Sequence, residues 1–283
     1  MSEQLRVLIT NDDGIASPGI RALALAVVEA GYDVVVAAPL EEASGTSASL
    51  TATERDGRVV VEGRDLAGLP GTPAFAVSAS PGFIALLATR GAFGAPPDLI
   101  LSGINRGANA GHAILHSGTV GAALTASANG CHAMAVSLDV LTAAAATAGS
   151  GGAAIAYLDK VDDESRNWNT AAAIAVDLLP SLCEAPNDIV FNINTPDRPR
   201  DQVHGVRLAS MARFGQVQIA VAEVGQGFVR TSLEEPGGQL EEGTDLAWLR
   251  DGYAAVTPLR GVSEVPDVAI LGKNLDLSGV RRA

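Results

Sequence analysis

The stretch LRVLITNDDG, residues 5–14, joins an apolar run directly to two adjacent carboxylates, Asp12 and Asp13. A short apolar run that ends in a polar, Gly-containing turn is typical of a buried β-strand. Two like charges at the end of a buried strand are costly unless a cation or a proton neutralises one of them. The stretch therefore predicts a buried strand that ends either at a cation site or at a turn that caps the next helix.

Strand and helix patterns alternate over the first 200 residues. The helix after the opening strand is predicted for SPGIRALALAVVEAG, with Ser17 as N-cap, Pro18 in the first position and Gly31 at the end. Near-continuous apolar strands between helices indicate an α/β fold with a mostly parallel sheet covered on both faces. Further strands are predicted at 32–39, 59–63, 97–103, 134–138 and 188–196, and helices at 80–94, 119–130 and 169–185.

The pattern changes after residue 200. Short strand patterns at 205–211, 215–224 and 253–259 are separated by Gly, Pro and acidic turns, which favours an appended antiparallel element. Since no clear linker divides the chain, we expect a single domain, 1–283. Its core would span about 1–200 and its C-terminal extension about 201–283.

Charge and composition argue against several classes of partner. The 283-residue chain has a formal net charge of −13 and no basic stripe, which argues against general affinity for nucleic acid or anionic membranes. The uncharged stretch 140–158 is rich in Ala, Gly, Ser and Thr, which contribute little to membrane insertion. The N-terminal sequence lacks a signal-peptide cleavage motif, and Cys131 and Cys183 have no metal or redox spacing. We therefore expect a cytoplasmic protein.

Polar, Gly-containing loops follow three of the predicted strands. They hold Asp12 and Asp13, then Ser44, then Asn105. Taken singly, each loop is explained equally well as a turn or a surface loop, but parallel strands bring their carboxyl ends to one edge. Two carboxylates, a hydroxyl and an amide oxygen suit Mg²⁺ or Mn²⁺ better than zinc, because no His or Cys cluster accompanies them.

The segment HSGT, residues 116–119, precedes an Ala-rich helix. The backbone amides of Ser117, Gly118 and Thr119 would point toward a ligand at the positive end of that helix, although a purely structural N-cap explains the segment too. A cation beside a helix N-terminus describes a phosphate-ester site. His112 and His116 show no ligand spacing, and surface or packing roles are favoured for both. Proton donation to a leaving alcohol is the alternative for His116.

Four motifs together resemble the SurE family of survival proteins, which are divalent-metal-dependent nucleoside monophosphate phosphatases. The resemblance runs along roughly the whole chain. It rests on NDDG-x-x-x-PG (11–19), SGTSASLT (44–51), PDLILSGIN-x-G-x-N-x-G (97–111) and HSGTVGAA (116–123), with further matches at 71–73, 191–197 and 243–259.

The resemblance implies a Rossmann-like three-layer core and one Mg²⁺ or Mn²⁺ per subunit, bound by Asp12, Asp13, Ser44 and Asn105. It also implies hydrolysis of nucleoside 5′- and 3′-monophosphates by metal-assisted attack of water, and association into dimers or tetramers through the C-terminal elements. Phosphate contacts are implied for Asn105, Asn109, Ser117, Gly118 and Thr119, and catalytic roles for Asp12, Asp13 and Ser117.

The chain departs from the family pattern at three places. Glu41 and Glu42 stand where the family usually has basic residues, 74–76 replaces a polar-Asp-Cys sequence, and 139–166 is longer than the usual connection, which suggests a lid or an interface. These departures keep two alternatives open. One is a phosphatase of sugar phosphates or polyphosphate, and the other is a catalytically silent nucleotide-binding module.

Overall fold

The protein is described by a computed structural model at residues 4–43, 45–142, 144, 161–216, 218–234 and 240–264. Its helices are α1 (Pro18–Glu29), α2 (Pro81–Thr89), α3 (Gly118–Ala128), α4 (Trp168–Glu184) and α5 (Asp245–Arg250). Its strands are β1 (Arg6–Thr10), β2 (Asp33–Pro39), β3 (Glu54–Arg55), β4 (Arg58–Val59), β5 (Val61–Gly63), β6 (Ala74–Val77), β7 (Leu99–Arg106), β8 (His132–Asp139), β9 (Ile189–Pro196), β10 (Val206–Leu208), β11 (Gln218–Gly225), β12 (Phe228–Glu234) and β13 (Ala254–Arg260).

Nine strands form one sheet in the order β10-β13-β9-β8-β7-β1-β2-β6-β5. The central strands from β9 to β6 pair in parallel, while β5 and β13 run antiparallel to their neighbours β6 and β9. The strand order reverses at β1, which has β2 on one side and β7 on the other. The end of β1 is thus the switch point where open α/β sheets bind ligands.

Helices cover both faces of the sheet. Ile20, Leu23 and Val27 of α1 join Ile174 and Leu179 of α4 in the core on one face. The other face is covered by α2 and α3, whose core side chains are small, with alanines predominating. The predicted α/β fold with three layers is therefore confirmed.

The region after residue 200 divides between two sheets. The hairpin of β11 and β12 is a separate antiparallel pair, as the sequence pattern predicts. Strands β10 and β13 instead join the main sheet, where β13 lies between β9 and β10. Residues 254–260 thus share a sheet with the first 200 residues, and the single-domain organisation of 1–283 remains a prediction.

Two of the three departures from the family pattern concern residues 74–76 and 139–166. Residues 74–76 lie in β6, where Phe75 packs against Phe93 with ring centroids 5.5 Å apart. Most of the 139–166 segment, namely 143 and 145–160, lies outside the described residues. Within the described parts of the chain, no helix is both long and apolar enough to cross a bilayer.

Candidate active site

The turn after β1 places Asp12 and Asp13 at the edge of the sheet. The Asn11 side-chain amide donates to the Gly14 carbonyl at 3.0 Å and to Ser17 Oγ at 2.8 Å. Gly14 adopts a φ of 91°, in the left-handed region that favours glycine. These contacts tie the turn to the start of α1, so the two carboxylates stay at the carboxyl end of β1.

Asp12, Asn105 and Thr119 come together from the turn after β1, the end of β7 and the first turn of α3. The Thr119 N–H donates to Asp12 Oδ2 at 3.1 Å, and the Thr119 hydroxyl donates to Asp12 Oδ1. The same hydroxyl oxygen lies 3.3 Å from Asn105 Oδ1, while the Asn105 amide nitrogen donates to the Gly107 carbonyl at 2.7 Å. The Asn105 amide oxygen is thereby turned toward Thr119, whose hydroxyl contacts Asp12.

Both aspartates lie where ionisation is unfavourable. Burial, together with the neighbouring charge of Asp12, raises the pKa of Asp13 to about 7. Burial also raises the pKa of Asp12, although the hydrogen bonds from Thr119 oppose this effect. The backbone N–H of Arg106 donates to Asp13 Oδ2 at 3.1 Å. A cation next to the pair would favour the charged form of both carboxylates.

The donor set around Asp12 and Asp13 fits a hard divalent cation. Two carboxylates and the Asn105 amide oxygen are oxygen ligands of the kind that Mg²⁺ and Mn²⁺ prefer. Among the residues that the structure describes, no group of three or more His, Cys, Asp or Glu side chains clusters as a metal site. A cation here would therefore complete its shell with neutral oxygens and water.

The loop between β2 and β3 reaches the same site. Ser44, the fourth predicted metal ligand, lies outside the described residues. Its neighbour Ala43 donates its N–H to the Asp12 carbonyl at 2.7 Å. A Cβ at Gly118 would lie 2.8 Å from Asp12 Oδ2 and 2.9 Å from Thr46 Oγ1, so only glycine fits between Asp12 and this loop.

The N-terminus of α3 faces the carboxylates. Ser117 is the N-cap, and its Oγ accepts a hydrogen bond from the Val120 N–H at 3.1 Å. Gly118 and Thr119 are buried behind it, and the amide and hydroxyl of Thr119 are both directed to Asp12. Of this segment, Ser117 and His116 line the cavity described below. The phosphate contacts of Ser117, Gly118 and Thr119 remain predictions.

Asn109 is held by a network of side chains from β8 and β9. Its N–H donates to Asn194 Oδ1 at 2.8 Å, and its side-chain amide donates to Ser137 Oγ at 3.0 Å. Its carbonyl accepts from the side-chain amides of Asn192 and Asn194 at 2.8 and 2.9 Å. The motif FNINTPD thus supplies two asparagines that fix the loop after β7.

A cavity of about 590 Å³ opens above these residues. Five of the predicted site residues line it, while Gly118 and Thr119 lie behind its wall. The lining residues are Asp12, Asp13, Ala16, Ser17, Pro18, Glu42, Gly45, Asn105, Arg106, Asn109, Ala113, His116, Ser117, Asp163 and Trp168.

Three of the lining residues carry chemistry that the sequence analysis did not assign. Arg106 Nε lies 2.9 Å from Asp163 Oδ1, which also lies 2.7 Å from Arg166 Nε. The Trp168 indole N–H donates to the Asp163 carbonyl at 2.6 Å. Arg106 could have been found from its place at the end of a strand. Asp163 and Trp168 follow an Ala/Gly tract without periodicity, so no signal pointed to them.

A family model described as survival protein SurE matches residues 7–218. The chain belongs to the SurE family. Proteins named 5′/3′-nucleotidase SurE from Shigella dysenteriae serotype 1 and Escherichia coli O127:H6 are each 35% identical to it, over 261 and 260 residues. These alignments cover 90% of this chain and 90% of each relative.

A solved SurE structure is also similar to this SurE-family chain. The crystal structure of the SurE protein from Aquifex aeolicus has a TM-score of 0.67 and 28% sequence identity, and the match covers 90% of this chain and 93% of that one. All the residues that line the cavity fall within the 7–218 range of the family match. The similarity of this chain to SurE proteins therefore includes the candidate active site as well as the sheet.

Proposed function

We propose that this chain is a divalent-metal-dependent phosphomonoesterase that hydrolyses nucleoside 5′- and 3′-monophosphates to nucleoside and phosphate. The observation that carries the proposal is the carboxylate pair of buried Asp12 and half-buried Asp13, beside the N-terminus of α3 in a cavity of about 590 Å³. The names of the SurE relatives, 5′/3′-nucleotidases, support it.

We assign the metal site to Asp12, Asp13, Ser44 and Asn105, with one Mg²⁺ or Mn²⁺ per subunit. When bound, a divalent cation supplies charge neutralisation and Lewis-acid activation to a phosphate ester. The contacts from Thr119 to Asp12 and from the Arg106 N–H to Asp13 hold the carboxylates in place before the substrate arrives. Such pre-positioned charge is worth more in a desolvated site than in water.

The remaining residues bind and orient the phosphate. The N-terminal end of α3 offers its positive partial charge to the phosphate oxygens. Since Ser117 Oγ accepts its hydrogen bond from Val120, the hydroxyl proton of Ser117 can be donated to a phosphate oxygen. Asn109 lies at the same cavity. One carboxylate of the pair positions the attacking water, and His116, which also lines the cavity, is the candidate for protonating the leaving alcohol.

The test is phosphate release from 5′-AMP, 3′-AMP and p-nitrophenyl phosphate, each with Mg²⁺, Mn²⁺ or EDTA. We expect release with both nucleotides that depends on metal and is abolished by EDTA. A preference for p-nitrophenyl phosphate or a sugar phosphate over both nucleotides would favour a phosphatase of other substrates. Protein that binds nucleotide but releases no phosphate with either metal would be a silent binding module.

We further propose a cytoplasmic protein that self-associates as a dimer or tetramer. Cys131 and Cys183 are both free thiols, in keeping with a reducing compartment. Exposed apolar side chains at Val221, Val224 and Val229 lie on the hairpin of β11 and β12. Apolar surface of this kind is typical of a contact between subunits.

A further inference from the structure

We propose that Asp245, in the C-terminal extension, is a positioning residue of the active site. It holds the loop after β7 in the place where residues of that loop can contact phosphate. The inference deepens the proposed function and rests on it. Asp245 does not line the cavity itself, and it acts through the backbone of Gly111, 134 positions earlier in the chain. The C-terminal extension would then serve phosphate binding as well as any contact between subunits.

The segment that Asp245 contacts forms much of one wall of the cavity. Gly111 begins the 3-10 helix Gly111–His116, and the next residue is the N-cap of α3. Four residues on either side of Gly111 line the cavity, namely Asn109, Ala113, His116 and Ser117. A shift of Gly111 would therefore move residues that we assign to the phosphate and to the leaving group.

Asp245 is fully buried, and its carboxylate accepts three backbone hydrogen bonds. Its Oδ2 accepts from the Gly111 N–H at 2.7 Å. Its Oδ1 accepts from the Ala212 N–H at 2.9 Å and from the Leu246 N–H at 2.8 Å. Because an ionised carboxylate is an acceptor at both oxygens, it satisfies all three donors, which an amide cannot do. One side chain thus joins the loop after β7 to two parts of the C-terminal extension.

The backbone around Gly111 is closely packed. Gly111 has a φ of 57°, and a Cβ there would lie 2.1 Å from the Phe214 carbonyl oxygen and 2.8 Å from the Ala212 carbonyl oxygen. A small apolar cluster, separate from the cores on the two faces of the sheet, surrounds this contact. Its buried members are Ala110, Ala212, Leu246 and Leu249. The loop is therefore held against the C-terminal extension by packing, and the bond to Asp245 fixes its position.

The metal site is held by other contacts. They are those of Asp12 with Thr119, of Asp13 with the Arg106 N–H, and of Asn105 with the Gly107 carbonyl. All of these residues precede residue 200, so none of the contacts depends on the C-terminal extension. Loss of the bond between Asp245 and Gly111 should therefore weaken phosphate binding and leave metal binding unchanged. A general loss of stability would not separate the two.

The variant that tests the inference is Asp245→Asn. Its single amide oxygen can still accept from Ala212 and Leu246, whereas its NH₂ group faces the Gly111 N–H, donor against donor. The opposite orientation of the amide would leave two donors without an acceptor. Asp245→Asn therefore removes the bond to the loop and keeps the two bonds within the C-terminal extension.

The matched control is Thr244→Ala, one residue away in the same helix cap. Thr244 Oγ1 accepts from the Ala247 N–H at 3.4 Å and donates to the Glu241 carbonyl at 2.7 Å. Both contacts lie within the C-terminal extension and neither reaches the loop. Loss of such a cap destabilises a helix, so Thr244→Ala should lower the melting temperature without moving Gly111.

Three quantities are measured: the dissociation constant of Mn²⁺ alone, the dissociation constant of inorganic phosphate with Mg²⁺ present, and kcat and KM for 5′-AMP. In Asp245→Asn we expect the phosphate constant and KM to rise together by about tenfold, the size expected when a buried donor loses its acceptor. The Mn²⁺ constant should stay the same, and kcat should change less than KM. Thr244→Ala should match the wild type in all three.

Hydrogen exchange of wild-type protein tests the contact without any variant. In the absence of phosphate, the Gly111 amide should exchange slowly, because its N–H is bonded to a buried carboxylate. Fast exchange of this amide in the wild type would overturn the inference, even if Asp245→Asn does not fold.

Two further results would overturn the inference and leave the proposed function intact. One is phosphate affinity in folded Asp245→Asn that equals that of Thr244→Ala. The other is an equal loss of Mn²⁺ and phosphate affinity, which would make Asp245 a general structural residue. Wild-type protein that binds phosphate but does not release it from 5′-AMP would overturn the proposed function alone. Wild-type protein that does not bind phosphate would overturn both proposals.

Discussion

At the scale of single residues, the chemistry depends on Asp12 and Asp13. Asp12 is buried and Asp13 half-buried, and each accepts a hydrogen bond from a neighbouring element, so an amide in its place would keep the shape of the site. Substituting either with asparagine removes one of the two charges available to a divalent cation. We expect Asp13→Asn to lower metal-dependent kcat/KM for 5′-AMP about a thousandfold or more, with Asp12→Asn at least as severe.

The control for this prediction is Asp65→Asn, because Asp65 is exposed and does not line the cavity. Activity is measured across Mg²⁺ and Mn²⁺ concentrations, and folding is checked by circular dichroism. Normal activity in folded Asp13→Asn protein would remove Asp13 from the catalytic machinery. Activity that recovers at high metal concentration would assign it to metal binding alone.

A second prediction concerns Asp139, a fully buried carboxyl at the end of β8. Its Oδ1 accepts from the Thr142 N–H at 3.1 Å and from the Gln216 side chain at 2.7 Å, and its Oδ2 has no partner among the described residues. Burial raises the pKa of Asp139 above its ordinary value of 3.8. The folded protein therefore binds more protons at this group than the unfolded chain does, once the pH exceeds that value.

The sign of the pH dependence follows from this difference. The contribution of Asp139 to stability is fully present below about pH 4 and is lost as the pH rises through the folded pKa. Asp139→Asn keeps the Oδ1 acceptor and cannot ionise. The melting temperature of this variant relative to that of the wild type should therefore rise between about pH 4.5 and about pH 7.5. The exposed Asp201→Asn variant is the control. A difference in melting temperature that is constant with pH would show that ionisation of Asp139 does not matter.

The site residues differ in how well the sequence alone predicts their positions. Asp12, Asp13 and Asn105 follow strands within a few residues, and parallel topology brings such residues together. The contact of Thr119 with phosphate stays a prediction. Its N–H and hydroxyl both donate to Asp12, a contact between α3 and the turn after β1 that no local sequence pattern encodes. Asp163 is brought to the cavity by an ion pair with Arg106 across 57 positions, which no local pattern encodes.

At the scale of elements, α3 is positioned by its close approach to the loop between β2 and β3. A Cβ at Gly121 would lie 2.4 Å from the Ser47 carbonyl oxygen and 2.6 Å from the Ala48 nitrogen. Glycine to alanine inside a helix normally stabilises by about 1 kcal/mol. Here the backbone contact should reverse the sign, and we expect Gly121→Ala to destabilise the protein by about 1–3 kcal/mol.

The measurement is chemical denaturation of Gly121→Ala beside Gly63→Ala, since an added Cβ at Gly63 meets no atom within 4 Å. The loop displaced in Gly121→Ala adjoins Asp12 through the Ala43 N–H, so metal-dependent activity should fall together with stability. A Gly121→Ala protein that is as stable as the wild type would mean that α3 and the loop are not in close contact.

The elements themselves were largely predictable where their patterns are long. The predicted helix at 169–185 is found at Trp168–Glu184, and the predicted strand at 32–39 is found at Asp33–Pro39. Strand β6 was not predicted, because its sequence, AFAV, is short and does not alternate between apolar and polar residues. The position of β13 in the main sheet could not be predicted from local sequence either, because it depends on pairing with β9 about 60 positions earlier in the chain.

At the scale of the whole molecule, the sheet order gathers the loops after β1, β2 and β7 at one edge, which accounts for the cavity. The hairpin of β11 and β12 is not part of the main sheet, because its strands pair only with each other in the described chain. Val224 and Val229 are cross-strand partners, 73% and 59% exposed. A monomer would leave this apolar pair in water, whereas a dimer or tetramer would bury it.

We therefore expect light scattering to give a multiple of the 28.7 kDa subunit mass for the wild type. The double variant Val224→Lys with Val229→Glu removes the apolar surface and places opposite charges on partnered positions, which keeps the hairpin paired. It should reduce the mass toward one subunit without loss of circular dichroism signal. Gln226→Glu, in the hairpin turn, is the control for added charge. Wild-type protein of single-subunit mass, or a double variant of unchanged mass, would show that the hairpin is not the contact between subunits.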